Sequence, residues 1–524
     1  MKCRRHETPR SWIRVLVIAA VLIAVGALTP AGLAQAPVRG GVLRWGVEAE
    51  PPTLDPHWTT VSVTAQIANH IFETLFTLDK DGNPLPHLVD RFTVSPDGRV
   101  YTLDLRRDVR FHNGRLMTSE DVVASISRWG RVTAAGKTVF TSVRSVEAEG
   151  ANRVIIRLTE RYGPLLIALA NPFRSIPAVM PAEIVREAGE GQVQRFIGSG
   201  PFQFTERIPD RHIRLTRFAN YAARSDSPNG YGGRRVAYVD EIRIIPVPEQ
   251  PTRVSGLETG LYDFANDVNP DMYPRFRANP NFQIFMAHVG WPIAMFNKKE
   301  GLFTDRTMRQ AFLAALNMEP LMRVAFGQPA FYRLTPSLMP QGAWYSEVGK
   351  EQYNQANPER ARTLLRQAGY TGKPVRWITT QAYEWMYRIA AGARPQLEAV
   401  GFALDLQVLD WATLAQRRAN PALWDVFSTG VVNAAEPTDD VYFSANWPGW
   451  WVDERKEGLL KQLGQTLDYR QRYKLWEDFQ KHWWQEVPAI NFGHYSTMRM
   501  GASRVRGYAN LRMPFFWNVW LAAR

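Results

Sequence analysis

Between residues 96 and 129 the hydrophobic period of the chain changes from that of a strand to that of a helix. Pro96-Asp97-Gly98 reads as a turn, after which Tyr101, Leu103 and Leu105 alternate with Val100, Thr102 and Asp104, as in a half-buried strand. Thr118 with Asp121 three residues on has the form of a capping box, and Val122, Ile126 and Trp129 then share one helical face. The same signs predict strands at Gly41–Trp45, Phe76–Leu78, Val154–Leu158, Phe202–Glu206, Tyr238–Val247, Phe282–Ala287 and Ile293–Asn297. Helices are expected over Ser62–Phe72, Pro164–Ala170 and Glu249–Thr259. The prolines of Glu50-Pro51-Pro52-Thr53-Leu54-Asp55-Pro56 end the first strand, because proline cannot donate to a ladder.

From about residue 300 helices and strands alternate. Thr304 is placed to cap a helix carrying Met308, Phe312 and Leu316; Asn357-Pro358-Glu359 caps another that Gly369 ends. Strand Val375–Thr379, a helix ending before Gly401, strand Phe402–Leu409, helix Trp411–Arg418 and strand Asp425–Ser428 follow. This β-α-β-α-β order implies a mainly parallel sheet. A late helix, Leu475–Gln485, precedes Ala489–Phe492, where the chain begins to return to its first half.

The N-terminus departs from this patterning. Lys2, Arg4, Arg5, Arg10 and Arg14 precede the apolar run Val15–Leu28, which suits a signal h-region and is short of the roughly 20 residues a membrane span needs. Ala34-Gln35-Ala36 offers an A-x-A cleavage site; Pro37 beside that cut makes cleavage after Ala34 the rival. The reading is a cleavable secretory signal over 1–36, with an uncleaved anchor as the alternative. The sole cysteine, Cys3, lies inside it, so the rest carries no disulfide, thiol nucleophile or lipid-attachment cysteine, and the expected location is the periplasm, without a lipid anchor.

Length and charge narrow the classes. A chain of 524 residues, 45% hydrophobic, is too long for one core and predicts at least two lobes. The net charge of +13 falls to about +9 without the five basic residues and Glu7 of the leader. The basic residues are scattered, which argues against nucleic acid and leaves an acidic ligand or anionic surface open.

The segment Ala68–Trp129 resembles the opening of family 5 extracellular solute-binding proteins, the peptide/nickel-type receptors of ABC importers. Further resemblances are Ile197–Phe204 (IGSGPFQF), Met295-Phe296-Asn297, Asp305–Leu316 (DRTMRQAFLAAL), Asn357–Gly369 (NPERARTLLRQAG) and QLEAVGFALDLQ from Gln396. Each is weak alone; their order and spacing carry the likeness. The resemblance implies an α/β, bilobal periplasmic binding protein type II-like fold of the large three-subdomain kind, with an interlobe ligand cleft. Lobe I would span 37–287 plus 494–524, with an inserted subdomain over about 80–195, and lobe II would span 288–493. Hinge crossovers would fall near Ala287 and His494, and the closed form would be the one an inner-membrane ABC permease recognises. The implied protein is a monomeric binding component, without cofactor, metal or nucleic acid, that captures a small organic solute or peptide.

The same resemblance names candidate ligand-binding residues, each beside a plainer reading. Trp58 and Thr59 follow the Leu54-Asp55-Pro56 loop, where family members touch ligand; loop packing is the alternative. Trp411 stands where dipeptide-type relatives place a ligand-contacting tryptophan. Trp291 serves equally as core or hinge packing. Tyr383 and Trp385 follow a strand at its C-terminal end, where open α/β sheets bind ligands. Arg174 could grip a carboxylate bidentately or sit on the surface. Gly430, Val431 and Asn433 belong to Ser428–Asp440, where peptide-binding relatives carry an aspartate for the α-amino group. Here Val431-Val432-Asn433-Ala434 has no acid, and Thr379-Thr380-Gln381-Ala382 lacks the arginine of dipeptide binders. A zwitterionic dipeptide would therefore bury charges poorly compensated at those places. Longer peptides, opines and sugars stay open. Trp447, Trp450 and Trp451 would suit a sugar or a packed loop. A metal chelate and a periplasmic sensor are further alternatives. A secreted hydrolase is the remote one: Gly198-Ser199-Gly200 lacks the spacing of a nucleophile elbow, and no phosphate loop or dinucleotide fingerprint occurs.

Overall fold

In the computed structural model, residues 36–339, 344–432, 436–466 and 468–523 are described. The leader through Gln35 lies outside them.

Strand β1 (Val42–Val47) buries Leu43, Trp45 and Val47 and stops at the proline loop, as its sequence predicts. Helix α1 (Ser62–Ile71) follows, burying Val63, Ile67, Ala68 and Ile71. The next segment folds on itself. β2 (Val89–Val94), β3 (Val100–Leu105), helix α2 (Ser119–Val132), β4 (Val143–Ala148) and β5 (Arg153–Leu158) form an antiparallel sheet in the order β2-β3-β5-β4, with α2 against β4 and β5. The alternation read from the sequence holds, since Tyr101, Leu103 and Leu105 are buried. So does the cap: Thr118 N donates to Asp121 Oδ2 at 2.8 Å, and Val122, Ile126 and Trp129 face inward.

The chain then returns beside β1. β6 (Phe202–Ile208), β7 (His212–Arg217) and β8 (Glu241–Pro246) run antiparallel, while β8 and, after helix α3 (Gln250–Glu258), β9 (Phe264–Val268) both flank β1 in parallel. β10 (Phe282–Phe296) is one strand of 15 residues where the sequence reads two. The two predicted strands leave 288–292 between them. That ladder changes partner there, from Tyr495 opposite Gly290 to Asn491 opposite Ile293, so the missing N–H of Pro292 costs little and the strand runs on.

Helices α4 (Arg306–Ala315), α5 (Met318–Phe326) and α6 (Pro358–Gln367) come next. The cap of α4 is Asp305, not Thr304: its carboxylate accepts from Thr307 N at 2.7 Å, and Thr304 lies in the preceding turn. β11 (Val375–Thr379), α7 (Glu384–Glu398), β12 (Leu404–Val408), α8 (Trp411–Arg417) and β13 (Val426–Val432) follow the predicted alternation, and β12-β11-β13 are parallel. α9 (Glu454–Gln465) and α10 (Tyr469–Glu486) precede β14 (Ala489–Asn491) and β15 (His494–Ala502). Asp468 accepts from Gln471 N at 2.9 Å and starts α10 a turn and a half before the predicted Leu475. Conversely, the helix expected over Pro164–Ala170 shrinks to Leu165–Ala168.

One mixed sheet joins these pieces in the order β6-β7-β8-β1-β9-β15-β10-β13-β11-β12, with β14 paired to β10. β10 and β15 run antiparallel through its middle, from Phe282 opposite Ala502 to Gly290 opposite Tyr495, with a register shift between His288 and Gly290. Strands from residues 42–268 lie on one side of them and strands from residues 375–432 on the other. Residues Arg39–Arg524 make one compact unit.

Candidate functional site

The C-terminal ends of parallel strands from both sides of β10 and β15 aim at one place. Glu48 follows β1 and Asp267 sits in β9; Tyr383 and Trp411 follow β11 and β12. Their side chains line a cavity of about 80 Å³, which has space for only a few water molecules. Thr60 and Gln66 from the α1 region, Arg418 after α8, Gly430 in β13, Tyr442, Tyr495 and Arg499, and Arg512 from the C-terminal tail complete the wall.

Aromatic rings form much of the wall. Tyr383 and Trp411 meet edge-on at 4.8 Å, and Trp385 packs on Tyr495 at 4.9 Å. Gly430 is where these rings come close to the backbone: a Cβ there would stand 2.8 Å from the Tyr495 hydroxyl and 3.0 Å from the Trp385 ring. The polar groups divide by charge. Glu48 accepts long bonds from Tyr383 Oη at 3.3 Å, Asn266 Nδ2 at 3.3 Å and Gln66 Nε2 at 3.4 Å. Burial holds the Tyr383 phenol well above its ordinary range, so it acts as a neutral donor. Asp267 takes a positive φ of 45° and leaves Oδ2 without a hydrogen bond; Arg253 Nη2 stands 3.8 Å away. Burial pushes the Asp267 carboxyl up to about 7. On the basic side, Arg499 is held by the Leu511 carbonyl at 2.7 Å and by that of Arg512, while Arg418 Nη2 donates to Thr60 Oγ1 at 2.9 Å.

Contacts between segments on either side of β10 and β15 narrow the cavity. Besides Glu48–Tyr383 and Thr60–Arg418, Arg174 pairs with Asp440 at 3.2 Å. Several buried polar atoms at the walls have no partner among the described residues: Trp411 Nε1, Asn266 Oδ1, Asp267 Oδ2 and Arg512 Nη1. Buried polar groups are ordinarily satisfied, so these atoms are available to a hydrogen-bonding occupant or to water.

Of the residues singled out from sequence, Tyr383, Trp385, Trp411 and Gly430 line the cavity together. The others do not. Val431 is fully buried in β13 beside Gly430. Trp58 is 44% exposed, and Thr59 closes a turn by accepting from Val61 N at 3.2 Å; their neighbour Thr60 reaches the wall instead. Arg174 is neither on the surface nor in the lining: it lies under the Tyr442 ring at 4.6 Å and anchors Asp440. Trp291 is core, edge-on to Trp483 at 5.6 Å. Asn433 lies outside the described residues. Trp450 stacks on Trp424 at 5.8 Å, Trp447 packs on Tyr442 at 4.4 Å and Trp451 on Trp483 at 5.4 Å, so this run packs its neighbours and stays out of the lining.

Sequence reasoning missed Glu48, Asp267, Arg418 and Arg512. Val431–Ala434 holds no acid and Thr379–Ala382 no arginine in the sequence, and the charged lining comes from other elements. Only Asn266-Asp267, two small polar residues inside an apolar strand, carried a local signal.

The model of the bacterial extracellular solute-binding proteins, family 5 Middle, matches residues 83–451. A probable peptide ABC transporter periplasmic-binding protein of Sinorhizobium fredii is 28% identical over 505 residues, covering 89% of this chain and 91% of that protein. Two solved structures share the fold at a TM-score of 0.81. AgaA of A. tumefaciens R10, in complex with agropinic acid, is 22% identical over 92% of this chain and 99% of its own. DppA of Helicobacter pylori, in complex with the peptide STSA, is 20% identical over 93% and 99%. A family match that spans well over half of the chain, on this fold, makes the protein a member of family 5 of the bacterial extracellular solute-binding proteins.

Proposed function

We propose that this protein is the periplasmic receptor of an ABC importer, exported by its N-terminal signal, acting as a monomer and handing an organic solute to an inner-membrane permease. The observation that carries the reading is the cavity at the strand ends, walled by Tyr383, Trp385, Trp411 and Tyr495 and holding buried donors and acceptors without a protein partner. Such a site binds by stacking and hydrogen bonds, with no covalent step. Relatives in complex with a tetrapeptide and with agropinic acid support a polar organic solute, peptide-like or related.

In this reading residues 37–287 with 494–524 form one lobe and 288–493 the other. β10 and β15 are the hinge, and the bonds Glu48–Tyr383 and Thr60–Arg418 close with the solute inside. Native mass spectrometry of the purified protein, before and after mild denaturation, tests it. A released small molecule is expected. A protein that is empty and whose melting temperature is unmoved by peptides, opines, sugars and metal chelates would sink the reading.

A further inference from the structure

The cavity's charge is unbalanced in one direction. Arg418, Arg499 and Arg512 face it, against Glu48 and Asp267. Glu48 is already committed to three neutral donors, and Arg499 to two backbone carbonyls of the tail. That leaves Arg418 and Arg512. Arg418 is 7% exposed, its guanidinium roofed by Trp447 at 5.3 Å and bonded to the Thr60 hydroxyl. Arg512 lies over Phe173 at 4.6 Å, and its Nη1 is shut from solvent without a hydrogen-bond partner. Among the described residues no carboxylate comes within 4.0 Å of either one; Asp440, whose Oδ1 pairs with Arg174, acts on Arg512 only through space. Burying a guanidinium without a contacting counter-ion is costly, and here Arg418 is buried and Arg512 half-buried around one space.

From this we propose that the solute carries an anionic group, a carboxylate, seated between Arg418 and Arg512. This rests on the cavity being the solute site. The planar fork of arginine matches the two oxygens of a carboxylate, and low-dielectric walls strengthen the pairing. Arg418 comes from the strands beyond β10, whereas Arg512 comes from the tail after β15. Closing the halves brings two like charges to one cavity, and an anion between them turns that repulsion into a clamp. Elsewhere in the lining the Oδ2 of Asp267, without a hydrogen bond, accepts a donor. The solute is thus asymmetric, anionic at one end and hydrogen-bond-donating at the other.

The test is an equilibrium titration, followed by intrinsic tryptophan fluorescence, of the purified protein and its variants R418Q, R512Q and R418K. The probes are two matched pairs: Ala-Ala-Ala with its C-terminal amide, and D-gluconate with D-glucose. In at least one pair the carboxylate member is expected to bind more tightly by ~10-fold or more. R418Q and R512Q should abolish that difference, while R418K, which keeps the charge, retains part of it; circular dichroism confirms that each variant is folded. If the neutral member binds as tightly as the acid, or if R418Q and R512Q keep the difference, the anion assignment is overturned and the solute reading stands. If none of the four probes binds to folded protein, the anion assignment is overturned, and the solute reading is decided by native mass spectrometry and the wider melting screen.

Discussion

Trp411 shows how one side chain joins fold to site. It opens α8, where Asp410 caps the helix by accepting from Thr413 N at 2.9 Å, and its ring lies edge-on to Tyr383 at the cavity wall. Its Nε1 is buried without a partner. Truncation removes a stacking surface from the cavity wall and, because the ring is buried, also lowers stability. Trp411→Ala is expected to weaken solute binding by about 10-fold or more, roughly 1.4 kcal/mol, while unfolding stays cooperative. Calorimetric titration with the released solute measures the first effect and urea denaturation the second; unchanged affinity would remove Trp411 from the site.

At the scale of elements, α2 is bound to the loop after β1 by a buried ion pair. Arg128 Nη2 donates to Asp55 Oδ2 at 2.7 Å, both residues are fully buried, and the same carboxylate accepts from His57 N and Val193 N, each at 2.9 Å. This ties the proline loop, α2 and the segment before β6 together behind the cavity. Arg128→Ala leaves the Asp55 charge buried with amide donors alone, and is expected to cost about 3–5 kcal/mol, as read from the urea midpoint. Replacing both partners by apolar residues of similar volume should cost less, because no charge is then stranded. The proline loop is legible from its sequence. The pairing of Asp55 with Arg128, 73 residues on, is not, since any acid and any arginine look alike to a local pattern.

For the whole molecule, buried histidines set the response to acid. His70 Nδ1 lies 2.9 Å from the Gln66 carbonyl, while its Nε2 accepts from Phe516 N at 3.0 Å; His112 Nε2 lies 3.0 Å from the Gly200 carbonyl, and its Nδ1 accepts from Gly198 N. Each ring thus donates at one nitrogen and accepts at the other, which only the neutral form can do. Burial lowers both to about 4, and His57 likewise. A depressed histidine adds stability that is complete above its ordinary value near 6.5 and is lost as pH falls through 4. Asp267 acts oppositely. Raised to about 7, it adds stability that is complete below about 3.8 and is lost as pH rises through 7. The three histidines outweigh it, so the melting temperature should fall between pH 6.5 and 4. Asp267→Asn should remove the opposing slope and make that fall steeper. A flat profile in both proteins, followed by circular dichroism, would contradict this account.

The sequence by itself determined what depends on near neighbours: the alternation of β3, the capping box and buried face of α2, and the parallel β-α-β order from β11 to β13. Each is a periodicity or a cap within a few residues. It also determined the family likeness and, through it, Tyr383, Trp385, Trp411 and Gly430, which stand at strand ends that the topology makes a cavity. Only the tertiary structure decided that β10 runs unbroken past Pro292, because the change of ladder partner comes from β14 and β15, about 200 residues later. Only it placed Arg418 and Arg512 around one space with Glu48 and Asp267. Charge has no period and acts through space, so its balance at the site appears only when distant segments meet.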